Sequence, residues 1–251
     1  MKFRIDPLPQ PGSYPGTAIV VDVIRATTTA ALYLRAGAKA LVLAPGVEVA
    51  RSLRQDGEIL AGEVGGLPPE GFDLGNSPRE VEGVAGKTVV MATTNGTRAA
   101  HAALGARHIL LGSLQNAQAV AEVAAGSGGE VAIVCAGKEG NIALDDLYTA
   151  GVIGRRLQAL GFAPEGEMAH LALFWRRTLL CRCSLPARRP RPWWRWGLGR
   201  MWRSALGWMP MGWSPASWGC GGKVWCLGYR RRDAGHFAGG FAGEGPGGGG
   251  L

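Results

Sequence analysis

Six short apolar runs, at residues 17–23, 39–43, 58–61, 87–92, 107–111 and 130–135, limit what this chain can fold into more than any other feature. Each is rich in β-branched residues, Leu or Ala and alternates little with polar residues, the pattern of strands buried on both faces. Residues 27–34, 47–55, 97–104, 116–125 and 144–160 carry apolar side chains at helical spacing with polar residues opposite. A strand covered on both faces needs a helical layer on each side. The alternation therefore predicts an α/β fold, a three-layer α/β/α domain around a largely parallel or mixed sheet.

That rhythm ends near Phe174. Residues 1–174 hold 14 basic and 17 acidic side chains and no Trp, whereas residues 175–251 hold 13 basic, 2 acidic and all nine Trp. The net charge of +8 thus belongs wholly to the tail. The tail has neither helical nor alternating periodicity, and its 12 Arg against 1 Lys, with Trp, Gly, Pro and Cys, match GC-rich codons read out of frame. We expect residues 1–174 to form the α/β domain, and residues 175–251 to be an aberrant or disordered out-of-frame segment. The Arg and Trp of 191–196 would also suit single-stranded nucleic acid or a membrane interface, but without periodicity we expect neither partner. Cys181, Cys183, Cys220 and Cys226 lack zinc-ribbon spacing.

The start of the chain has no apolar core of a secretory signal, and no run of 18 apolar residues exists. Cys135 is the one cysteine before the tail, so no disulfide framework forms there. A cytoplasmic location is expected.

In an open α/β sheet, ligands sit beyond the carboxyl ends of the strands. Here those positions are polar: Asp22, Arg25 and Thr27-Thr28-Thr29; Glu63; Thr93-Thr94-Asn95-Gly96-Thr97-Arg98; Gly137; Asp145 and Asp146. Asp22 follows a run of Ile and Val, where an unpaired carboxylate costs several kcal/mol, about the scale of any buried ion. It needs a cation or a hydrogen-bond donor as partner, and the readings are a hard metal ion or an ion pair with Arg25. Glu63 could add a second oxygen ligand and Asp145 or Asp146 a third, although acids at a helix start also complement its dipole. Thr94-Asn95-Gly96-Thr97-Arg98 reads as a strand-to-helix turn whose open amides, beside Arg98, can take an anion. Arg25 with Thr27 and Thr28 repeats that arrangement, so the ligand is expected to be a small anion with more than one acidic group.

Residues 62–77, with many glycines and little periodicity, make a long loop of the functional kind. At its end Ser77, Pro78 and Glu80 carry the spacing of a helix start. The chain lacks a Walker A sequence, a G-x-G-x-x-G fingerprint and a G-x-S-x-G elbow, and Asp22 lacks the second acid two residues on that a phosphoaspartyl enzyme needs. His101, His108 and His170 have no nucleophile at recognisable spacing, and Cys135 suits packing; all four are expected to be structural.

In this order, residues 21–29, Gly62-Glu63, the segment 71–78, residues 93–98, Gly112-Ser113 with Asn116-Ala117, and Cys135-Ala136-Gly137 followed by Leu144-Asp145-Asp146 resemble the 2-phosphosulfolactate phosphatase family. The resemblance spans residues from about 15 to 170. It departs at Val64 and Leu67-Pro68-Pro69, where that family often carries basic residues. It implies a magnesium-dependent phosphomonoester hydrolase of an α/β/α fold, acting on a small phosphorylated sulfonate on the route to coenzyme M. It further implies that Asp22, Glu63 and Asp145 or Asp146 hold Mg²⁺, that Arg25, Asn95 and Arg98 act on the phosphate, and that Thr27, Thr28, Asn76, Ser77, Thr94, Gly96, Thr97 and Gly137 border the substrate. A homo-oligomer is compatible with this reading. Two other readings stay open from the residues alone: a nucleotide-dependent oxidoreductase or transferase on a doubly wound sheet, and a nucleic-acid-binding protein working through the basic tail.

Overall fold

A computed structural model describes residues 1–182, 228–232 and 236–240. The α/β class holds, with one elaboration: the strands divide between two sheets. The first has the order β6-β2-β7-β1-β8 and the second contains β4-β5-β3. In the first, β2 (Thr17–Val21) lies parallel between β6 (His108–Gly112) and β7 (Val131–Cys135), and β1 (Lys2–Asp6) lies parallel between β7 and β8 (Ala163–Glu165). In the second, β5 (Thr88–Ala92) lies parallel between β3 (Ala40–Ala44) and β4 (Ile59–Gly62).

Helix α1 (Ala26–Arg35) carries the chain from the first sheet to the second, and α3 (Gly96–Ala102) carries it back. Both lie between the sheets. Ala18 and Val20 of β2, Leu41 and Leu43 of β3 and Val89 and Met91 of β5 share one core with Ala26, Ala30 and Tyr33 of α1 and Ala99 and Ala100 of α3. Small alanines let two helices fit in that layer at interior packing density. The alternate residues face outward, as the two-residue period of a strand requires. Ile19, Val21, Ile133 and Cys135 pack on α4 (Ala117–Gly126), α5 (Leu144–Ala159) and α6 (Glu167–Arg182). Val42, Val90 and Ala92 pack with α2 (Val47–Leu53).

The six predicted strands and five predicted helices each appear within a few residues of their expected bounds. Two strands, β1 and β8, were not foreseen. In β1 only Phe3 and Ile5 alternate with Arg4 and Asp6, which pair with each other at 3.2 Å; five residues are a weak signal. Helix α6 runs across position 174, where the domain boundary was expected. Of the tail beyond it, β9 (Gly228–Arg232) and β10 (His236–Gly240) form an antiparallel pair added to β3. The remaining tail residues, to which the expectation of an aberrant or disordered segment chiefly applies, lie outside those described. Among the described residues no helix is long and apolar enough to cross a membrane.

The loop 62–77 is ordered and returns to its own sheet. The Leu60 amide donates to Asp73 Oδ2 at 2.8 Å and the Gly62 amide to the Leu74 carbonyl at 3.2 Å, so the loop covers the edge of β4. Tyr33, fully buried, donates its hydroxyl to the Gly75 carbonyl at 3.1 Å. The helix expected after Ser77 does not form. Glu80 turns back to accept the Gly75 amide at 2.6 Å, and Ser77 caps only a turn, accepting from the Arg79 amide at 3.3 Å.

Candidate active site

The carboxyl ends of β2 and β7 in one sheet face those of β4 and β5 in the other, with the starts of α1, α3 and α5 between and beside them. Asp22, immediately after β2, is 8% exposed. Its carboxylate accepts the Ala26 amide at 3.4 Å and also the Gly96 amide. A Cβ on Gly96 would lie 2.7 Å from Asp22 Oδ2 and 2.4 Å from the Ala26 Cβ. Only glycine lets α3 begin this close to Asp22.

Arg25 is not the partner of Asp22. Its guanidinium crosses to the Gly66 carbonyl at 3.0 Å, and the Gly66 amide donates to Glu63 Oε2 at 2.7 Å. The other Glu63 oxygen accepts the Thr94 amide at 2.8 Å. This corrects the ion-pair alternative for Asp22: the salt bridges found among the described residues join Lys2 to Glu165, Arg4 to Asp6, Arg51 to Glu48 and Arg54 to Asp73.

Asp145 and Asp146 open α5. Asp146 is 3% exposed and accepts two amides, that of Val23 on Oδ1 at 2.9 Å and that of Gly137 on Oδ2 at 3.1 Å. Asp145 is half-buried, and no hydrogen bond is assigned to its carboxylate. Burial, then the neighbouring charges of Glu63 and Asp145, pushes Asp22 up to about 6 against two opposing amide bonds. Burial and the charge of Asp22 push Asp146 up to about 8. Cys135, beneath them, is held protonated well above its usual range, first by burial and then by the charge of Asp146.

The turn 94–98 differs from its expectation in one respect. Three of its amides are already taken: Thr94 donates to Glu63, Gly96 to Asp22, and Thr97 to Thr93 Oγ1 at 3.1 Å. Thr93 was named with this turn but given no role, although its four-residue spacing from Thr97 is the signal: each threonine caps the other's amide, with the Thr93 amide donating to Thr97 Oγ1 at 3.1 Å. Asn95 accepts the Glu139 amide at 3.3 Å, and Arg98 is exposed. Thr27 and Thr28 are buried, and their hydroxyls donate to the carbonyls of Asp22 and Val23 at 2.9 and 2.7 Å, which shapes the loop carrying Asp22 and Arg25. Two buried polar atoms at this end of the fold have no hydrogen-bond partner, Thr94 Oγ1 and Asn76 Oδ1. His101, with Nε2 2.9 Å from the Leu43 carbonyl, and Cys135 serve packing and cross-linking.

Asp22, Glu63, Asp145 and Asp146 thus interact at one place without an assigned ion pair to Lys or Arg. Among the described residues, no group of three or more His, Cys, Asp or Glu side chains is arranged to enclose a metal ion. The donor set, oxygen only, fits a hard cation held through one or two carboxylates with water completing its shell, as magnesium is, and does not fit zinc.

Comparison with known proteins bears on the same residues. The family model described as 2-phosphosulpholactate phosphatase matches residues 4–180. A protein of Thermus thermophilus named "Probable 2-phosphosulfolactate phosphatase" is 53% identical over 182 residues, 70% of this chain and 77% of that protein. Its namesake in Deinococcus radiodurans is 52% identical over 183 residues, 70% of this chain and 76% of that protein. Another in Caldanaerobacter subterraneus is 40% identical over 162 residues, or 62% and 67%.

Proposed function

The chain belongs to the 2-phosphosulfolactate phosphatase family, and from that premise we propose that it is a magnesium-dependent phosphoric monoester hydrolase converting 2-phospho-3-sulfolactate to 3-sulfolactate and phosphate. The observation that carries the reading is the meeting of Asp22, Glu63, Asp145 and Asp146 at facing strand ends with no paired cation. Such a cluster is stable only if protons or a bound cation offset its charge. Asp22 and Asp145, with Glu63 alongside, would hold Mg²⁺. When bound, the ion supplies a Lewis acid that withdraws charge from a phosphate oxygen.

The chain's own residues do the remaining work. Arg25, fixed against Gly66, and Arg98, exposed at the start of α3, offer two cations to a substrate that carries phosphate, carboxylate and sulfonate. Asn95 and Gly96 set the approach of α3 to Asp22. The unpartnered Thr94 hydroxyl can donate to a substrate oxygen, and the unpartnered Asn76 carbonyl oxygen can accept from a bound water or a protonated substrate group, since buried polar groups lacking partners cost stability unless a ligand or water meets them. Ser77 and Gly137 border the same loops. With the amides of Thr94, Gly96 and Thr97 already taken, anion recognition rests chiefly on these side chains. We read this step as one of coenzyme M-type biosynthesis, carried out in the cytoplasm.

Phosphate release from 2-phosphosulfolactate, measured with Mg²⁺ and then with excess chelator, tests the reading. We expect activity only with the cation, restored when it is added back. Full activity in chelator would remove the metal role, and no hydrolysis of this or related phosphomonoesters would remove the phosphatase reading. We also read residues 175–251 as out of frame, for their composition alone; the two other frames of the gene should then show an open continuation with few Trp and mixed charge, and their failure to do so ends that idea.

A further inference from the structure

Asp145 and Asp146 are adjacent acids at the start of one helix, and by sequence they are interchangeable as metal ligands. Their surroundings differ. The last rung between β2 and β7 is the Ala136 amide on the Val21 carbonyl at 2.8 Å. Beyond it the strands part, and Asp146 bridges the gap with one oxygen on each side, to Val23 at 2.9 Å and Gly137 at 3.1 Å. The Gly137 end of this bridge cannot drift: Gly137 has φ +69, and a Cβ there would lie 2.4 Å from Leu8 Cδ2 and 2.6 Å from the Asn141 carbonyl. On the other side, Val23 lies between Asp22 and Arg25, so its position decides where both point.

We infer that Asp146 is a positioning residue rather than a metal ligand: its carboxylate spans the diverging ends of β2 and β7 and thereby aims Asp22 and Arg25 at the substrate. Both oxygens are needed for that span. An asparagine keeps one acceptor and would turn its NH₂ toward the other amide, so one of the two bonds must break. Asp145, half-buried in the same turn, has no such bonds to lose.

The test compares Asp146→Asn with Asp145→Asn in the full chain, by amide hydrogen exchange and by steady-state kinetics. In Asp146→Asn the amide of Val23 or Gly137 should exchange at least ~10-fold faster, the scale for losing one hydrogen bond to a carboxylate, while amides of β3 and β5 keep their wild-type rates. The same variant should lower kcat by ~10–100-fold, the scale for partners that orient a site, with KM within a factor of ~3. In Asp145→Asn both amides should exchange as in the wild type. Wild-type exchange at Val23 and Gly137 in Asp146→Asn would overturn the inference, and so would an unchanged kcat with a raised KM. Should that variant fail to fold, Asp146→Glu keeps the carboxyl group one methylene further out and reads the same two amides. The kinetic arm rests on the phosphatase reading and the exchange arm does not: a wild type without activity, together with fast exchange in Asp146→Asn, would end that reading and leave the bridging role standing.

Discussion

At the end of the first sheet, Asp146 ties the loop after β2 to the loop after β7; at the end of the second, Glu63 ties the loop after β4 to the loop after β5. Each acid accepts two main-chain amides, one from each loop. Their settings differ, for Asp146 and its neighbour Asp22 are buried at 3% and 8% exposure while Glu63 is half-exposed. The bonding is alike and the desolvation is not. Burial raises the two acids of the first sheet far above the ordinary carboxyl range, to about 6 and about 8. The comparison teaches that the proton-holding carboxyls of this site belong to the end of the first sheet, where neither Asp22 nor Asp146 has an ion pair to Arg or Lys among the described residues, and that Glu63 at the second sheet chiefly sets the shape of two loops.

If that division is right, substitutions in the first sheet should cost the most. Asp22→Asn should lower turnover by at least ~100-fold, the scale for losing a preorganised charged group, while its melting temperature stays near that of the wild type. A large drop in melting temperature with modest loss of turnover would return Asp22 to a structural role. Glu63→Gln, which keeps one acceptor of two, should cost ~10-fold in kcat, as for other groups that orient a site. A loss as large as that of Asp22→Asn would erase the distinction between the two sheets.

Arg98→Ala should raise KM by about 10-fold with little change in kcat, since one charge-assisted hydrogen bond is worth roughly 1.5–3 kcal/mol. A wild-type KM would take Arg98 out of the anion site. The pH dependence of stability sharpens the contrast without any mutation. Unfolded, Asp22 and Asp146 release their protons near pH ~4; folded, they hold them to about 6 and about 8. Between these limits the folded chain binds more protons, so without divalent cation stability should fall as pH rises from about 4 to about 8. Mg²⁺ should flatten the slope, and a melting temperature that rises over that range in cation-free buffer would contradict the placement of these acids. The smallest effect belongs to the second sheet: Tyr33→Phe leaves the Gly75 carbonyl unpaired and should cost about 1–3 kcal/mol, read by denaturant unfolding, with kcat nearly unchanged.

The elements of this fold and the acids that meet at its candidate site could be read from the chain because both rest on local rules. A doubly buried strand must be continuously apolar, so β2 to β7 announced themselves, and acids set against Ile and Val at a strand end stand out because burying them unpaired is costly. Amino-acid order alone also separated residues 1–174 from a tail of another composition.

What needed the tertiary structure were choices among equals. Every apolar run could have joined one sheet; alanine-rich α1 and α3, thin enough to lie between two layers, place β3, β4 and β5 in a second. The turn 94–98 looked open to an anion until side chains distant in sequence, Asp22 and Glu63, took its amides. Asp145 and Asp146 are identical in chemistry and adjacent in sequence, yet the rotation of one helical step sends Asp146 into the gap between β2 and β7 and leaves Asp145, half-buried, without those two bonds. Residue type and spacing determine which groups can bond, and only the packing of distant segments decides which of them do.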